Sequence, residues 1–99
     1  MARARNIKPG FFTNDELGEL SPLARLAFIG LWGQADFNGN MKCKPKRLKV
    51  EILPYDNVDF AELISELEGC GFVQRYQVGN ENFLHVVNFQ KHQRPHKNE

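Results

Sequence analysis

The sequence has 99 residues, of which 41% are hydrophobic and 25% are charged, and its formal net charge is +1. That length suits one domain rather than two, and the apolar fraction is high enough for a hydrophobic core, which excludes disorder as the dominant state. No stretch approaches the ~20 apolar residues of a membrane span, and no apolar segment follows the basic N-terminus as in a signal peptide, so we expect a cytoplasmic protein.

Residues 1–10 are predicted to form a basic N-terminal arm that ends at a Pro-Gly turn. A short helix is expected next, to about residue 20. Thr13 or Asn14 can cap this helix, and acidic residues occupy its first turn, where the helix dipole favours them.

The next helix, over residues 22–35, is predicted to be the central one. Ser21 supplies a capping hydroxyl, and Pro22 fits the first helical position. The apolar face is too broad for a helix that lies on the surface, so we expect several neighbours to pack around it. The face consists of Leu23, Leu26, Ala27, Phe28, Leu31 and Trp32.

Two further helices are predicted after a short extended piece over residues 41–44. The first covers residues 45–53, between two prolines. The second covers residues 59–70, with Asp59 as its cap. Its apolar residues follow the i, i+3, i+4, i+7 spacing of an amphipathic helix, and two glycines end it. Those apolar residues are Phe60, Leu63, Ile64 and Leu67.

After residue 70, the spacing of the apolar residues changes from that of a helix to that of an extended strand. Residues 72–78 and 83–89 are rich in β-branched and aromatic residues and predict a hairpin with a turn at residues 79–82. Three or four helices followed by a hairpin is the order of a winged helix-turn-helix domain, an α+β fold. We assign residues 11–89 to that domain and residues 90–99 to a basic polar tail or the start of a linker. A generic α+β domain is the alternative.

Basic residues are concentrated in three acid-free segments, which can produce a positive face if they meet in space. Such a face would bind phosphates, so DNA is the predicted partner. Arg75 and Lys91, at the base of the hairpin, are further candidates. The three segments contain Arg3, Arg5 and Lys8; Lys42, Lys44, Lys46, Arg47 and Lys49; and Lys91, Arg94 and Lys97.

The predicted recognition helix, over residues 59–70, argues against simple major-groove contact because its outward positions are acidic. Carboxylates are repelled by phosphates, although an acid can accept a hydrogen bond from a cytosine amine. This face is therefore a candidate for a protein partner. Its main residues are Asp59, Glu62 and Glu66.

Catalysis and metal binding have little support in the sequence. It contains no phosphate-binding loop, no Gly-x-Ser-x-Gly and no HExxH. His92 and His96 are spaced i, i+4, but no CxxC accompanies them, and four converging ligands are not expected. Cys43 and Cys70 are expected to be reduced thiols. We expect no enzyme, no cofactor and no metal.

The pattern Leu-x-x-Glu-Leu-x-x-x-Gly-Phe-Val over residues 63–73 is typical of the junction between the third helix and the wing of a winged helix. Four other stretches of the sequence carry a resemblance to a known family. They are "ARARNIKPGFFTNDEL", "SPLARLAFIGLW", "KPKRLKVEILPYD" and "FLHVVNFQKHQRPHKNE". The chain resembles the N-terminal domain of phage and prophage replication proteins of the replisome-organiser and primosomal-loader type. The resemblance covers nearly the whole chain, and its most specific part is "NFQKHQRPHKNE".

The resemblance implies a winged-helix DNA-binding domain that acts in phage DNA replication, near the origin, in the cytoplasm of a bacterial host. In such proteins a linker and a further domain commonly follow. The alternative hypothesis is a protein-interaction domain whose acidic third helix binds a host or phage replication protein. A small transcriptional regulator is a third hypothesis.

Overall fold

The computed structural model of the protein describes residues 2–93. Within them the chain forms six helices and three strands. In chain order these are α1 (Gly10–Thr13), α2 (Asp15–Gly18), α3 (Pro22–Gln34), β1 (Asn40–Lys42), α4 (Pro45–Ile52), α5 (Phe60–Gly69), β2 (Val73–Val78), β3 (Glu81–Val86) and α6 (Phe89–Gln93).

Three of the helices begin at the side-chain caps that the sequence predicted. The amide oxygen of Asn14 accepts a hydrogen bond from the backbone of α2, at 3.0 Å. The hydroxyl of Ser21 accepts from the first turn of α3, at 3.2 Å, and the carboxylate of Asp59 accepts from the first turn of α5, at 3.0 Å. These bonds satisfy backbone N–H groups that a helix leaves without an internal acceptor.

Helices α3, α4 and α5 pack against one another and form one side of the core. The predicted central position of α3 is confirmed, since Leu31 is fully buried and Phe28 and Trp32 are nearly so. Helix α4 approaches α3 closely at Gly30, where a β-carbon would collide with the branched stem of Ile52.

The strands form an antiparallel sheet in the order β1-β3-β2. Side chains alternate across it, so Met41, Val73 and Leu84 face the helices and are buried. On the opposite face the rings of Tyr76 and Phe83, which are cross-strand partners, stack with centroids 5.5 Å apart. The inner face of the sheet completes the core that the helices begin.

The end of the hairpin differs from the sequence prediction. Its turn has two residues, Gly79 and Asn80, rather than four, because Val78 already pairs with Glu81. Gly79 has a φ of 61°, the positive value that a type II′ turn requires at its first central position.

The C-terminal part of the hairpin also ends earlier than predicted. Strand β3 stops at Val86, where the sequence predicted extended chain to residue 89, and Asn88 takes a φ of 60°. Phe89 then begins α6 instead of continuing the strand, and its ring is buried. Residues 90–93 are therefore helical where a tail was expected, because Phe89 attaches this segment to the core.

The described chain is a compact α+β domain, with a radius of gyration of 12.8 Å, close to the ~13 Å of a folded 100-residue domain. Among its helices none has the length and apolar character that crossing a bilayer demands. All of its largest buried side chains are apolar, and they belong to a single cluster between the sheet and helices α2, α3, α4 and α5.

Candidate nucleic-acid interface

The basic segment over residues 42–49 lies on the end of β1 and on α4. Pro45 occupies the first position of α4, no side chain caps that helix and no acid lies in its first turn. Lys44, Lys46 and Arg47 are exposed there. The partial positive charge of the helix N-terminus and three cationic side chains thus lie together, an arrangement that favours a bound phosphate.

The five cations of this segment differ in how the fold engages them. Lys42 lies 3.6 Å from the carboxylate of Glu81, and Arg47 lies 4.0 Å from Glu51. Both are exposed surface pairs, which contribute little and exchange readily. The Lys49 ammonium donates to the carbonyl of Leu53, at 3.2 Å, and so caps the C-terminus of α4.

Lys44 and Lys46 remain as the most available cations of the segment. Both are exposed, and within residues 2–93 neither takes part in an ion pair or a side-chain hydrogen bond. A phosphate that approached α4 would meet these two ammonium groups without displacing an internal contact.

The N-terminal segment contributes to the fold rather than extending away from it. The Arg3 backbone N–H donates to the carbonyl of Gly33, at 2.8 Å. The Arg5 guanidinium donates to the carbonyls of Trp32 and Ala35, at 3.0 and 3.1 Å. It also lies 4.9 Å from the centre of the Phe89 ring. Arg5 therefore caps the end of α3 and joins α3 to α6.

The N-terminal segment and α6 lie side by side. Asn6 and Gln93 exchange two hydrogen bonds, at 3.0 and 2.9 Å, which places Lys91 and Lys8 on elements that adjoin each other. Arg94 and Lys97, also predicted as phosphate contacts, lie outside the described residues, as does His96.

The three basic segments form two groups in the part of the chain that the structure describes. Gly39, just before β1, lies so close to Phe89 that a β-carbon there would collide with it, so this end of β1 adjoins the N-terminal and α6 group. Lys42, at the other end of β1, is next to the hairpin turn through Glu81. No hydrogen bond or ion pair in residues 2–93 joins residues 42–49 to the other group.

Arg75, another predicted phosphate contact, is engaged by α5. Its guanidinium donates twice to the Glu68 carboxylate, at 2.8 and 3.0 Å, and once to the hydroxyl of Ser65, at 3.1 Å. Its backbone N–H donates to the same carboxylate, at 2.8 Å. The backbone and side-chain hydrogen bonds from Arg75 lower the pKa of Glu68.

The acidic face of α5 is mostly engaged within the domain. The Glu66 carboxylate accepts from the backbone N–H and the hydroxyl of Ser21, both at 3.1 Å. Asp59 caps its own helix. Of the three predicted protein-contact residues, Glu62 alone is exposed with no side-chain hydrogen bond or ion pair among the described residues. Outward spacing on a helix does not reveal partners that come from other elements.

The sequence analysis missed a cleft of about 440 Å³ between the N-terminal segment and α6. Its floor is aromatic, and Phe11 packs edge-on to Trp32 there, with centroids 5.5 Å apart. Polar side chains, including Lys8, Glu16 and His92, line its mouth. The signal that could have indicated it is the pair of adjacent phenylalanines, Phe11 and Phe12, after the Pro-Gly turn.

The two cysteines are free thiols, each half-buried. Burial raises the pKa of Cys43, partly opposed by the positive charge of Arg75, so this thiol is not activated as a nucleophile. Within residues 2–93, no three histidine, cysteine or acidic side chains lie close enough together to hold a metal ion.

Comparison of the chain with known protein families, with curated proteins and with solved structures gives no match. The candidate interface therefore rests on the geometry of α4.

Proposed function

We propose that this chain is a winged-helix DNA-binding domain of a phage-type replication protein, and that it binds the DNA backbone mainly through the first turn of α4. The observation that carries the proposal is the exposed, uncapped N-terminus of α4 with Lys44 and Lys46 beside it and no acid in its first turn. Phosphate contacts of this kind supply affinity that does not depend on base sequence.

The arrangement of the elements supports the winged-helix assignment. Helix α3, strand β1, helices α4 and α5 and then the β2–β3 hairpin follow one another in the order expected for that fold. The sheet order β1-β3-β2 places the first strand against the returning strand of the hairpin. Helices α4 and α5 take the positions of a helix-turn-helix pair, whose first helix crosses the DNA backbone.

The two groups of cations support different roles in this proposal. Lys44, Lys46 and Arg47, at the start of α4, are the primary phosphate contacts. Lys8 and Lys91, on the adjoining N-terminal segment and α6, are secondary contacts. Arg3, Arg5 and Arg75 are assigned mainly to the stability of the fold, since their backbone or guanidinium groups already bind other elements.

The alternative, a protein partner bound by the acidic face of α5, has weaker support. Glu66 and Glu68 bind Ser21 and Arg75 within the domain. The ion pair between Glu68 and Arg75 offsets one negative charge of α5, which reduces the repulsion of DNA that the sequence suggested.

The proposal is tested by fluorescence anisotropy with labelled duplex DNA, titrated at several salt concentrations. Two double variants remove the same charge from different places: Lys44→Ala with Lys46→Ala, and Lys8→Ala with Lys91→Ala. We expect the α4 pair to weaken binding about tenfold or more and to reduce the salt slope by about one for each phosphate that the protein no longer neutralises. The second pair is the matched control, with a smaller effect.

Two outcomes contradict the proposal. One is an absence of binding to duplex DNA at low salt. The other is an equal effect of the two double variants, because equal effects indicate a response to net charge rather than a site on α4.

A further inference from the structure

The cleft next to the N-terminal segment has an exposed aromatic side chain at its edge. Phe11 lies in the wall of the cleft, and its ring contacts that of Phe12 edge-on, with centroids 5.3 Å apart. Phe12 itself is outside the wall, and 74% of it is exposed. The same surface thus contains a cleft lined by aromatic side chains and, beside it, the solvent-exposed ring of Phe12.

The cleft is large enough for a ring of that size. Its volume is about 440 Å³, whereas a cavity of roughly 150 Å³ accommodates benzene. Its floor is formed by aromatic rings, and Phe28 packs on Phe72 and on Trp32 with centroids 5.2 Å apart in each pair. An inserted phenyl ring would meet edges and faces of other rings, a favourable arrangement for aromatic side chains.

The mouth of the cleft carries one charge of each sign. Lys8 and Glu16 both line it, and both are exposed. Within residues 2–93 neither forms an ion pair or a side-chain hydrogen bond. A surface that contacts its own copy about a two-fold axis must be complementary to itself, and a lysine and a glutamate on the same rim satisfy that requirement.

We propose that the protein forms a two-fold dimer in which Phe12 of each copy enters the cleft of the other. Lys8 of each copy then faces Glu16 of the other across the mouth. Phe11, in the wall of the cleft, and Phe12, the ring to be inserted, are adjacent in the chain. The cleft and the inserted ring therefore both lie close to the two-fold axis, as reciprocal insertion requires. A second copy is the occupant that the geometry favours, because this one surface supplies the ring, the cleft and both charges.

The dimer contacts do not include the primary DNA contacts, since neither Lys44 nor Lys46 lines the cleft. Lys8 alone is shared, as a secondary DNA contact, and the test of dimerisation contains no DNA. Failure of one does not decide the other.

The test is sedimentation velocity of the full chain over a wide range of protein concentrations. We expect a reversible monomer–dimer equilibrium for the wild type. Phe12→Ser should raise the dimer dissociation constant roughly a hundredfold, because both inserted rings are removed at once. Val78→Ser is the matched control, since Val78 is also an exposed apolar side chain, 60% exposed, but lies at the hairpin turn. It should leave the equilibrium unchanged.

Charge reversal at the mouth of the cleft gives a second, independent readout. Lys8→Glu and Glu16→Lys, taken singly, each place like charges opposite one another and should weaken the dimer at low salt. The variant with both substitutions restores opposite charges, so it should dimerise more strongly than either single variant. Because all of these side chains are exposed, the variants should keep the wild-type unfolding transition.

A chain that stays monomeric at every concentration overturns the proposal. So does a dimer that Phe12→Ser leaves intact. A pair of charge reversals whose effects simply add, with no recovery in the double variant, also counts against it, because reciprocal contact between residues 8 and 16 predicts non-additivity.

Discussion

The guanidinium of Arg75, on the first strand of the hairpin, is bound to the carboxylate of Glu68, near the end of α5, with a shortest N–O distance of 2.8 Å. The backbone N–H of Arg75 donates to the same carboxylate. The contact fixes the hairpin against α5 and neutralises one of the acids of that helix. It also means that a basic residue which the sequence suggested for DNA is already bound.

This contact predicts a dependence of stability on acid pH. Hydrogen bonds from Arg75 lower the pKa of Glu68, so the stabilisation is fully present above the ordinary glutamate pKa of about 4.3 and is lost as the pH falls through the lowered folded value. Arg75→Ala should cost about 0.5–1 kcal/mol at neutral pH, since the pair is partly exposed. Urea unfolding of the two proteins across this pH range measures the difference, which should shrink in acid.

Glu68→Gln is the control for that experiment. It keeps the shape of the side chain and removes the titrating group, so the cost of adding Arg75→Ala in the Glu68→Gln background should not change with pH in that window. A difference between wild type and Arg75→Ala that is the same at acid and neutral pH contradicts the prediction.

Gly30 is predicted to be intolerant of any side chain because Ile52 occupies the space. The nearest atoms to a β-carbon at residue 30 are Cγ2, Cγ1 and Cβ of Ile52, the stem of a branched side chain that cannot swing away. Gly30→Ala should therefore lower the free energy of unfolding by about 1–3 kcal/mol, despite the better helix propensity of alanine. Urea denaturation measures the change.

The same position offers a double-mutant cycle. An Ile52→Ala background removes the two γ-carbons and leaves only the Cβ contact, at 3.1 Å, so Gly30→Ala should cost clearly less there than in the wild type. Gly18→Ala, at the end of α2, is a matched control because a β-carbon there meets nothing within 4 Å. Equal costs of Gly30→Ala in both backgrounds would show that the approach of α4 to α3 is not the cause.

Arg5 is predicted to stabilise the fold through its shape as well as its charge. Its guanidinium donates to two carbonyls at the end of α3 and lies on the Phe89 ring. A lysine keeps the charge but not the planar fork. Arg5→Lys should therefore lower the free energy of unfolding by about 1 kcal/mol, whereas Lys8→Ala, an exposed neighbour, should change it little. Thermal unfolding of the wild type and both variants, monitored by circular dichroism, measures these changes. An Arg5→Lys transition at the wild-type temperature would refute the prediction.

Cys43 is predicted to alkylate more slowly than an ordinary thiol at neutral pH. Burial raises its pKa, and the nearby Arg75 charge acts in the opposite direction. Only the thiolate reacts with iodoacetamide, so the rate in a Cys70→Ser background should rise with pH about a midpoint above that of a free cysteine. Adding Arg75→Ala should move the midpoint higher still. A midpoint at or below the free-thiol value is the contrary result.

Much of the local structure was predictable because it depends on contacts close in the chain. Asn14, Ser21 and Asp59 cap helices through bonds to backbone N–H groups two or three residues ahead. Glycine with positive φ at the hairpin turn, and the alternation of side chains in the strands, follow from backbone geometry alone. The α+β class and the sequence of main elements came from these signals.

Only the tertiary structure decided which charged side chains are bound within the domain and which are left exposed. Arg5 and Phe89 are 84 residues apart, and Glu66 and Ser21 are 45 apart, yet each pair is in contact. No periodicity reports such pairings, because they depend on how whole elements pack. Residues 89–93 became a helix for the same reason: burying the ring of Phe89 fixes a segment whose remaining residues are polar. Composition therefore located the cations along the chain, and packing determined which of them are left to meet a partner.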